Sequence, residues 1–146
     1  MNIKDIVEKL CKDMGTSDPF EIAERMDIQV HYLPLNEIRG IYLKAFGVMQ
    51  VAINCDLPLQ IKKFVMAHEI GHAILHPDVN SLVFKTCMLN TGRQEVEANL
   101  FATYILLPNK DIEDNPQYTV DNWASILGLP REIIEMRFNY EMCIVC

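Results

Sequence analysis

Two histidines and a glutamate occur within five consecutive residues of this sequence, as His68, Glu69 and His72 in the spacing H-E-x-x-H. An α-helix turns by about 100° per residue, so His72 would lie about 40° from His68, and Glu69 about 100° from it. The three side chains would then point into one quadrant of the helix. Two imidazoles at this spacing can bind one zinc ion at about 2.0–2.1 Å, and the glutamate can serve as a general base toward water.

The segment that carries this motif is predicted to be a buried helix. It spans about residues 59–76, ends before Pro77, and is apolar on nearly every side. Burying a polar group without a partner costs roughly 2–7 kcal/mol, so the imidazoles and the carboxylate need compensation. A divalent metal ion would supply it. The alternative is that other side chains of the core satisfy the two histidines.

A catalytic zinc ion usually has three protein ligands, so the two histidines need a further partner. His76 would lie about 12 Å along the helix axis from His68, which is too far for a shared ion. We therefore interpret His76 as a residue that caps the end of the helix. The remaining candidates are His31 and the acidic residues.

The favoured source of the third ligand is a second predicted helix at about residues 94–107, which ends before Pro108. With Glu95 set at zero, Asn99 lies at about 40° and Glu97 at about 200°. We therefore prefer Glu95 to Glu97 as the ligand. Asn99 could accept the free N–H of a bound histidine and fix its tautomer. The alternative for both glutamates is an ordinary acidic first turn.

The rest of the chain predicts an α+β fold in one domain, residues 1–146. We expect a small three-stranded antiparallel or mixed sheet that packs on the active-site helix and the second ligand helix, with N- and C-terminal helices. The predicted strands are "QVHYLPL", "GIYLKAF" and "VMQVAIN", with a hairpin at Gly47. Residues 78–92 have no clear period and are expected to form a loop over the site.

The stretch "HEIGH", followed by "EVEANLFATYILLP", resembles the ImmA/IrrE family of bacterial zinc metallopeptidases. The resemblance covers residues 20–138 and implies a small gluzincin-like fold. It implies zinc held by His68, His72 and Glu95, with Glu69 as the general base. It also implies a partner, because several members of the family cleave or inactivate a transcriptional repressor of a phage or mobile element.

The overall composition restricts the other functions. The net charge is −7, which argues against direct nucleic-acid binding. No apolar run is long enough for a membrane span and no signal peptide is evident, so we expect a cytoplasmic protein. The five cysteines are expected to be reduced thiols, and the C-x-x-C pair Cys143 and Cys146 is weak evidence for a metal site.

Three functions compete on this evidence. The favoured one is a zinc endopeptidase with a narrow protein substrate, expected to be a helix-turn-helix repressor. The second is a non-catalytic anti-repressor that binds its partner and keeps a structural zinc site. The third is a DNA-binding regulator that uses the C-terminal segment, residues 119–138, which is predicted to form two short helices. Packing is the favoured role of their apolar residues: Trp123, Ile126, Leu127, Ile133, Ile134 and Met136. The oxyanion-stabilising residue stays open among several candidates: Tyr42, Tyr104, Tyr118, His31 and Arg93.

Overall fold

The computed structural model describes residues 2–78, 81–84 and 92–145, with only the backbone described at 81–84 and 140–145. These residues contain both helices and strands in a mixed order. In chain order the elements are α1 (Ile3–Met14), α2 (Pro19–Arg25), β1 (Gln29–Leu33), β2 (Ile38–Ala45), β3 (Val48–Asn54), α3 (Leu59–Leu75), β4 (Ser81–Phe84), α4 (Arg93–Leu106), α5 (Asn109–Asp114), α6 (Val120–Leu127) and α7 (Arg131–Val145). The predicted α+β class is confirmed.

The four strands form one mixed sheet in the order β1-β3-β2-β4. Strand β1 pairs in parallel with β3, whereas β2 is antiparallel to both β3 and β4. The predicted hairpin joins β2 to β3 through Phe46 and Gly47, whose φ values are 52° and 76°. Positive φ at both central residues is typical of a type I′ turn, which matches the twist of the paired strands.

The sheet has one strand more than predicted. Strand β4 lies in the segment that we expected to be a loop, and it pairs along the free edge of β2. Four residues are too few to display a strand period, and the pairing depends on a partner about 40 positions earlier in the chain. Residues 79–80 and 85–91 of the same segment lie outside the described residues, so a loop there stays a prediction.

Helix α3 lies at the centre of the fold. One side packs on β2 and β3, and other sides contact α4 and α2. Its residues from Phe64 to Ala73 are all buried, as the uniform apolar composition predicts. At the entrance to α3, buried Asn54 donates from Nδ2 to the carbonyls of Asn36 and Ile38, both at 3.0 Å. These bonds fix the chain where the sheet leads into the helix.

The C-terminal third contains three helices where two were predicted. Helix α5 is an addition, and α7 continues beyond the predicted end at residue 138. Trp123, Ile133 and Ile134 are buried, as their interpretation as packing residues requires. Ile126 was assigned to the same group, and that assignment is wrong because its side chain is exposed.

Two further sequence predictions can be compared with the described part of the chain. Cys11 and Cys55 are free thiols, whereas the side chains of Cys87, Cys143 and Cys146 lie outside the description. Within the described ranges, no helix combines the length and the apolar character that crossing a bilayer requires.

Candidate metal centre

The two histidines of the motif converge on one point inside the protein. His68 and His72 are both buried on α3, and their rings lie 4.7 Å apart at 72° to each other. Their Nε2 atoms are separated by only 3.1 Å. The i,i+4 spacing produces this approach, because successive turns of a helix place these side chains on the same face.

Glu95 reaches the same point from α4. Its Oε2 lies 3.2 Å from Nε2 of His68, and its Oε1 lies 3.1 Å from Nε2 of His72. Among the described residues, these three side chains are the group that could hold a metal ion, with ligand atoms all within 4.8 Å of one another. The structure thus brings together the three ligands that the sequence predicts.

The geometry of the three side chains suits a metal ion. Ligand atoms about 2.0–2.1 Å from a tetrahedral zinc ion lie about 3.3–3.4 Å apart, close to the separations between these nitrogens and oxygens. Nδ1 of His68 lies 2.7 Å from Oδ1 of Asn99, and an amide oxygen can only accept. The proton of neutral His68 is therefore on Nδ1, and the Nε2 lone pair faces another nitrogen and a carboxylate. A shared cation removes this repulsion.

The charges of the centre are strongly coupled. Close contacts with His68 and His72 hold the pKa of Glu95 well below its ordinary value, although partial burial opposes this shift. Burial by itself would lower the pKa of His68. The contact with Glu95 and the negative charge of Glu69 outweigh burial, so the pKa of His68 is raised. Positive charge is therefore favoured where the three ligand atoms meet.

Glu69 lies between this centre and the sheet. Its side chain is fully buried, and its Oε1 would be 3.5 Å from a Cβ atom placed on Gly40 of β2. The same Cβ would lie only 2.5 Å from Cγ1 of Val65. Strand β2 can therefore approach α3 this closely only because residue 40 has no side chain. Gly40 was not predicted from the sequence, since nothing local marks it as the contact point between strand and helix.

A second glycine brings the two ligand helices together. A Cβ atom on Gly71 of α3 would meet Cβ of Phe101 at 3.1 Å, and Cγ and Cδ1 of the same ring at 3.2 Å. Glycine in the middle of a helix costs about 0.5–1 kcal/mol relative to alanine. The close approach of α4 gives this glycine a structural reason, and it allows Glu95 to reach the histidines of α3.

Glu97 and His76, which were both weighed as the third ligand, contact each other instead. Glu97 lies on a different side of α4 from Glu95, and its Oε2 lies 3.2 Å from Nε2 of His76. His76 follows α3 directly, and its backbone N–H donates to the carbonyl of His72 at 2.8 Å. His76 is therefore the helix-end residue that was predicted. Its ring lies 6.0 Å from the ring of His72, and its Nε2 contacts Glu97.

The structure also places the five residues considered for oxyanion stabilisation. Tyr42 donates its hydroxyl to the carbonyl of Pro77 at 3.2 Å, and its pKa is raised by burial and then by the charges of Asp78 and Glu69. The others lie in different surroundings: Tyr104 beneath the guanidinium of Arg137, Tyr118 against Trp123, Arg93 beside Glu97, and His31 exposed on β1. Among these five candidates, Tyr42 is thus the one whose pKa is raised in part by the charge of Glu69.

A buried H-E-x-x-H helix, backed by a mixed sheet and faced by a carboxylate on a second helix, defines a small metallopeptidase-like domain. The family model described as an IrrE N-terminal-like domain, of the peptidase M78 family, matches residues 23–139. The chain therefore belongs to this family. The match includes all the elements from β1 to α6 and both helices of the candidate centre.

Two relatives are similar over nearly the whole chain. An uncharacterized immunity region protein 2 of Bacillus phage phi105 is 36% identical over 141 residues, which cover 92% of this chain and 88% of the relative. The metallopeptidase ImmA of Bacillus subtilis strain 168 is 29% identical over 138 residues, which cover 94% of this chain and 78% of the relative. The comparisons support a peptidase with a metal-binding centre.

Proposed function

We propose that this protein is a zinc-dependent endopeptidase that acts on a narrow protein substrate, a helix-turn-helix repressor of a phage or mobile element. The observation that supports it most is the convergence of His68, His72 and Glu95 around one point, with separations of 3.1–3.2 Å. The names of the two relatives, a metallopeptidase and a phage immunity region protein, favour this substrate class.

His68, His72 and Glu95 would hold the zinc ion, and Asn99 would keep the ring of His68 in its binding orientation. When bound, zinc would supply Lewis acidity toward water and the peptide carbonyl. Glu69 would accept a proton from the attacking water and pass it to the leaving amine. Glu69 is fully buried, and its negative charge acts with the contact from Glu95 to raise the pKa of His68.

The test is cleavage of a purified repressor encoded beside this gene, by zinc-loaded wild type and by a Glu69→Gln variant. Glutamine has nearly the same shape but cannot accept the proton, so we expect the variant to lose cleavage by at least about 100-fold. The metal content of both proteins should match, since Glu69 is not assigned as a ligand. Mass spectrometry of the products would locate the cleaved bond.

The outcome also separates the enzyme from the anti-repressor alternative. If the wild type and the Glu69→Gln variant release the repressor from its operator equally well, and no fragment forms, the protein acts by binding alone. In that case His68→Ala should abolish the release, because loss of a structural metal would unfold the domain. Cleavage by both proteins at the same rate would remove Glu69 from the mechanism.

A further inference from the structure

One histidine lies next to the candidate centre without contributing to it. His76 is the first residue beyond α3, and its Nε2 is 3.2 Å from Oε2 of Glu97 on α4. Both side chains are largely shielded, with 14% and 25% of their surface exposed. The contact has ion-pair length, and it joins the end of one ligand helix to the beginning of the other.

This contact lies near the beginning of α4. The helix starts after Gly92, and Glu95 lies in its first turn. The first turn of a helix has fewer hydrogen bonds within the helix than its middle, and helix ends fray more readily. A side-chain contact that anchors this end of α4 therefore helps to fix the position of Glu95.

Two further contacts between the helices lie deeper in α4. His68 contacts Asn99, which is four residues beyond Glu95. Gly71 meets Phe101, which is six residues beyond Glu95 and about 9 Å further along the axis of α4. Glu97, by contrast, lies only two residues from Glu95. It points to a different side of α4, so the first turn is held from two directions: Glu95 contacts the motif histidines, and Glu97 contacts His76.

We propose that His76 and Glu97 are positioning residues that hold the first turn of α4 against the end of α3, and so set the distance from Glu95 to the two imidazoles. The inference rests on the proposed function, since it assigns the pair to the same metal centre. Neither residue touches the reacting atoms. Without the contact, the first turn of α4 could move, and the affinity of the centre for a metal ion would fall.

The experiment is a titration of the metal-free protein with cobalt(II), followed through the visible absorption of the bound ion. The variants are His76→Ala, Glu97→Ala, the double variant, and His76→Gln, which can still offer an N–H to Glu97. Lys9→Ala, which breaks the exposed ion pair with Asp13 on α1, is the matched control. Circular dichroism confirms that each variant is folded.

We expect each alanine variant to bind cobalt roughly 10–100-fold more weakly than the wild type, as is typical for residues that orient metal ligands. The double variant should bind no more weakly than the weaker single variant, and His76→Gln should recover most of the affinity. The Lys9→Ala control should bind like the wild type. Unchanged affinity in His76→Ala, or losses that multiply in the double variant, would overturn the pairing.

This measurement does not depend on cleavage. If His76→Ala binds cobalt more weakly than the wild type, but the wild type cleaves no repressor, the positioning role is supported and the proposed activity is contradicted. If the wild type and the His76→Ala and Glu97→Ala variants bind cobalt equally well, the positioning role alone is overturned. A wild-type protein that binds no cobalt would overturn both, because the centre itself would be absent.

Discussion

Nδ1 of His68 on α3 lies 2.7 Å from Oδ1 of Asn99 on α4, and both side chains are buried. The amide oxygen accepts a hydrogen bond from Nδ1–H of His68, so Nε2 of the same ring presents its lone pair toward Glu95. Asn99 lies one turn beyond Glu95 on the same face of α4. A single helix therefore contributes a candidate ligand and the group that orients another ligand.

Replacing Asn99 tests this orientation. Asn99→Leu keeps the branched shape of the side chain but has no acceptor, so the ring of His68 can turn and its N–H loses a buried partner. We expect zinc affinity to fall roughly 10–100-fold. Asn99→Asp keeps an acceptor and should bind within about 10-fold of the wild type. Calorimetric titration measures both values, and equal affinity in Asn99→Leu would show that Asn99 does not orient the ring.

Gly71→Ala should destabilise the protein despite the better helix propensity of alanine. The added methyl group would meet Phe101 at 3.1–3.2 Å, and Phe101 is fully buried and has little room to move. Overpacking of this kind costs about 1–3 kcal/mol, against a propensity gain of about 0.5–1 kcal/mol. Urea unfolding of the metal-free protein measures the difference. A raised midpoint would mean that Phe101 yields to the methyl group.

The local part of the candidate centre was predictable from the sequence. Helical angles placed Glu95 and Asn99 on one face of α4 and Glu97 on another, and the structure has this arrangement. The angles work because a helix has a fixed rotation per residue. The metal-binding and catalytic roles of these residues stay predictions, and they are tested by the experiments proposed above.

The features that were missed depend on contacts between distant segments. Gly40 is an ordinary residue in a strand pattern until α3 packs against it, and β4 becomes a strand only by pairing with β2. The neighbour of Gly71 could not be named, because a helix period identifies a face and not its partner. Each of these features is set by packing between residues that are 25 or more positions apart in the sequence, which no local window contains.

Arg137 is another such feature, and its removal should be costly. It is fully buried on α7, donates to the carbonyl of Leu107 at 2.9 Å and to Oδ1 of Asn109, and lies 3.8 Å above the ring of Tyr104. Arg137→Met should lower the free energy of unfolding by about 2–4 kcal/mol, since a buried carbonyl at the end of α4 loses its partner.

The matched control for Arg137 is Arg131→Met on the same helix. Arg131 pairs with Asp121 and Glu135, each at 2.8 Å, but these side chains are substantially exposed. Exposed ion pairs contribute about 0–1 kcal/mol, so the control should change stability by less than about 1 kcal/mol. Denaturant unfolding of both variants decides the matter, and similar losses in the two would contradict a special role for buried Arg137.

Zinc binding should strengthen as pH rises, because the ion must displace protons from the histidines. In the metal-free fold the pKa of His68 is raised, so its contribution to stability is complete below its unfolded value of about 6.5 and is lost as pH rises through the folded value. The pKa of Glu95 is lowered, so its contribution is present above about pH 4.3 and is lost in stronger acid.

Added zinc should therefore raise the thermal midpoint less at pH 5.5 than at pH 8. Magnesium at the same concentration is the control, since it prefers oxygen ligands and should give no shift at either pH. A zinc-induced shift that is equal at both pH values would mean that His68 does not exchange a proton for the metal.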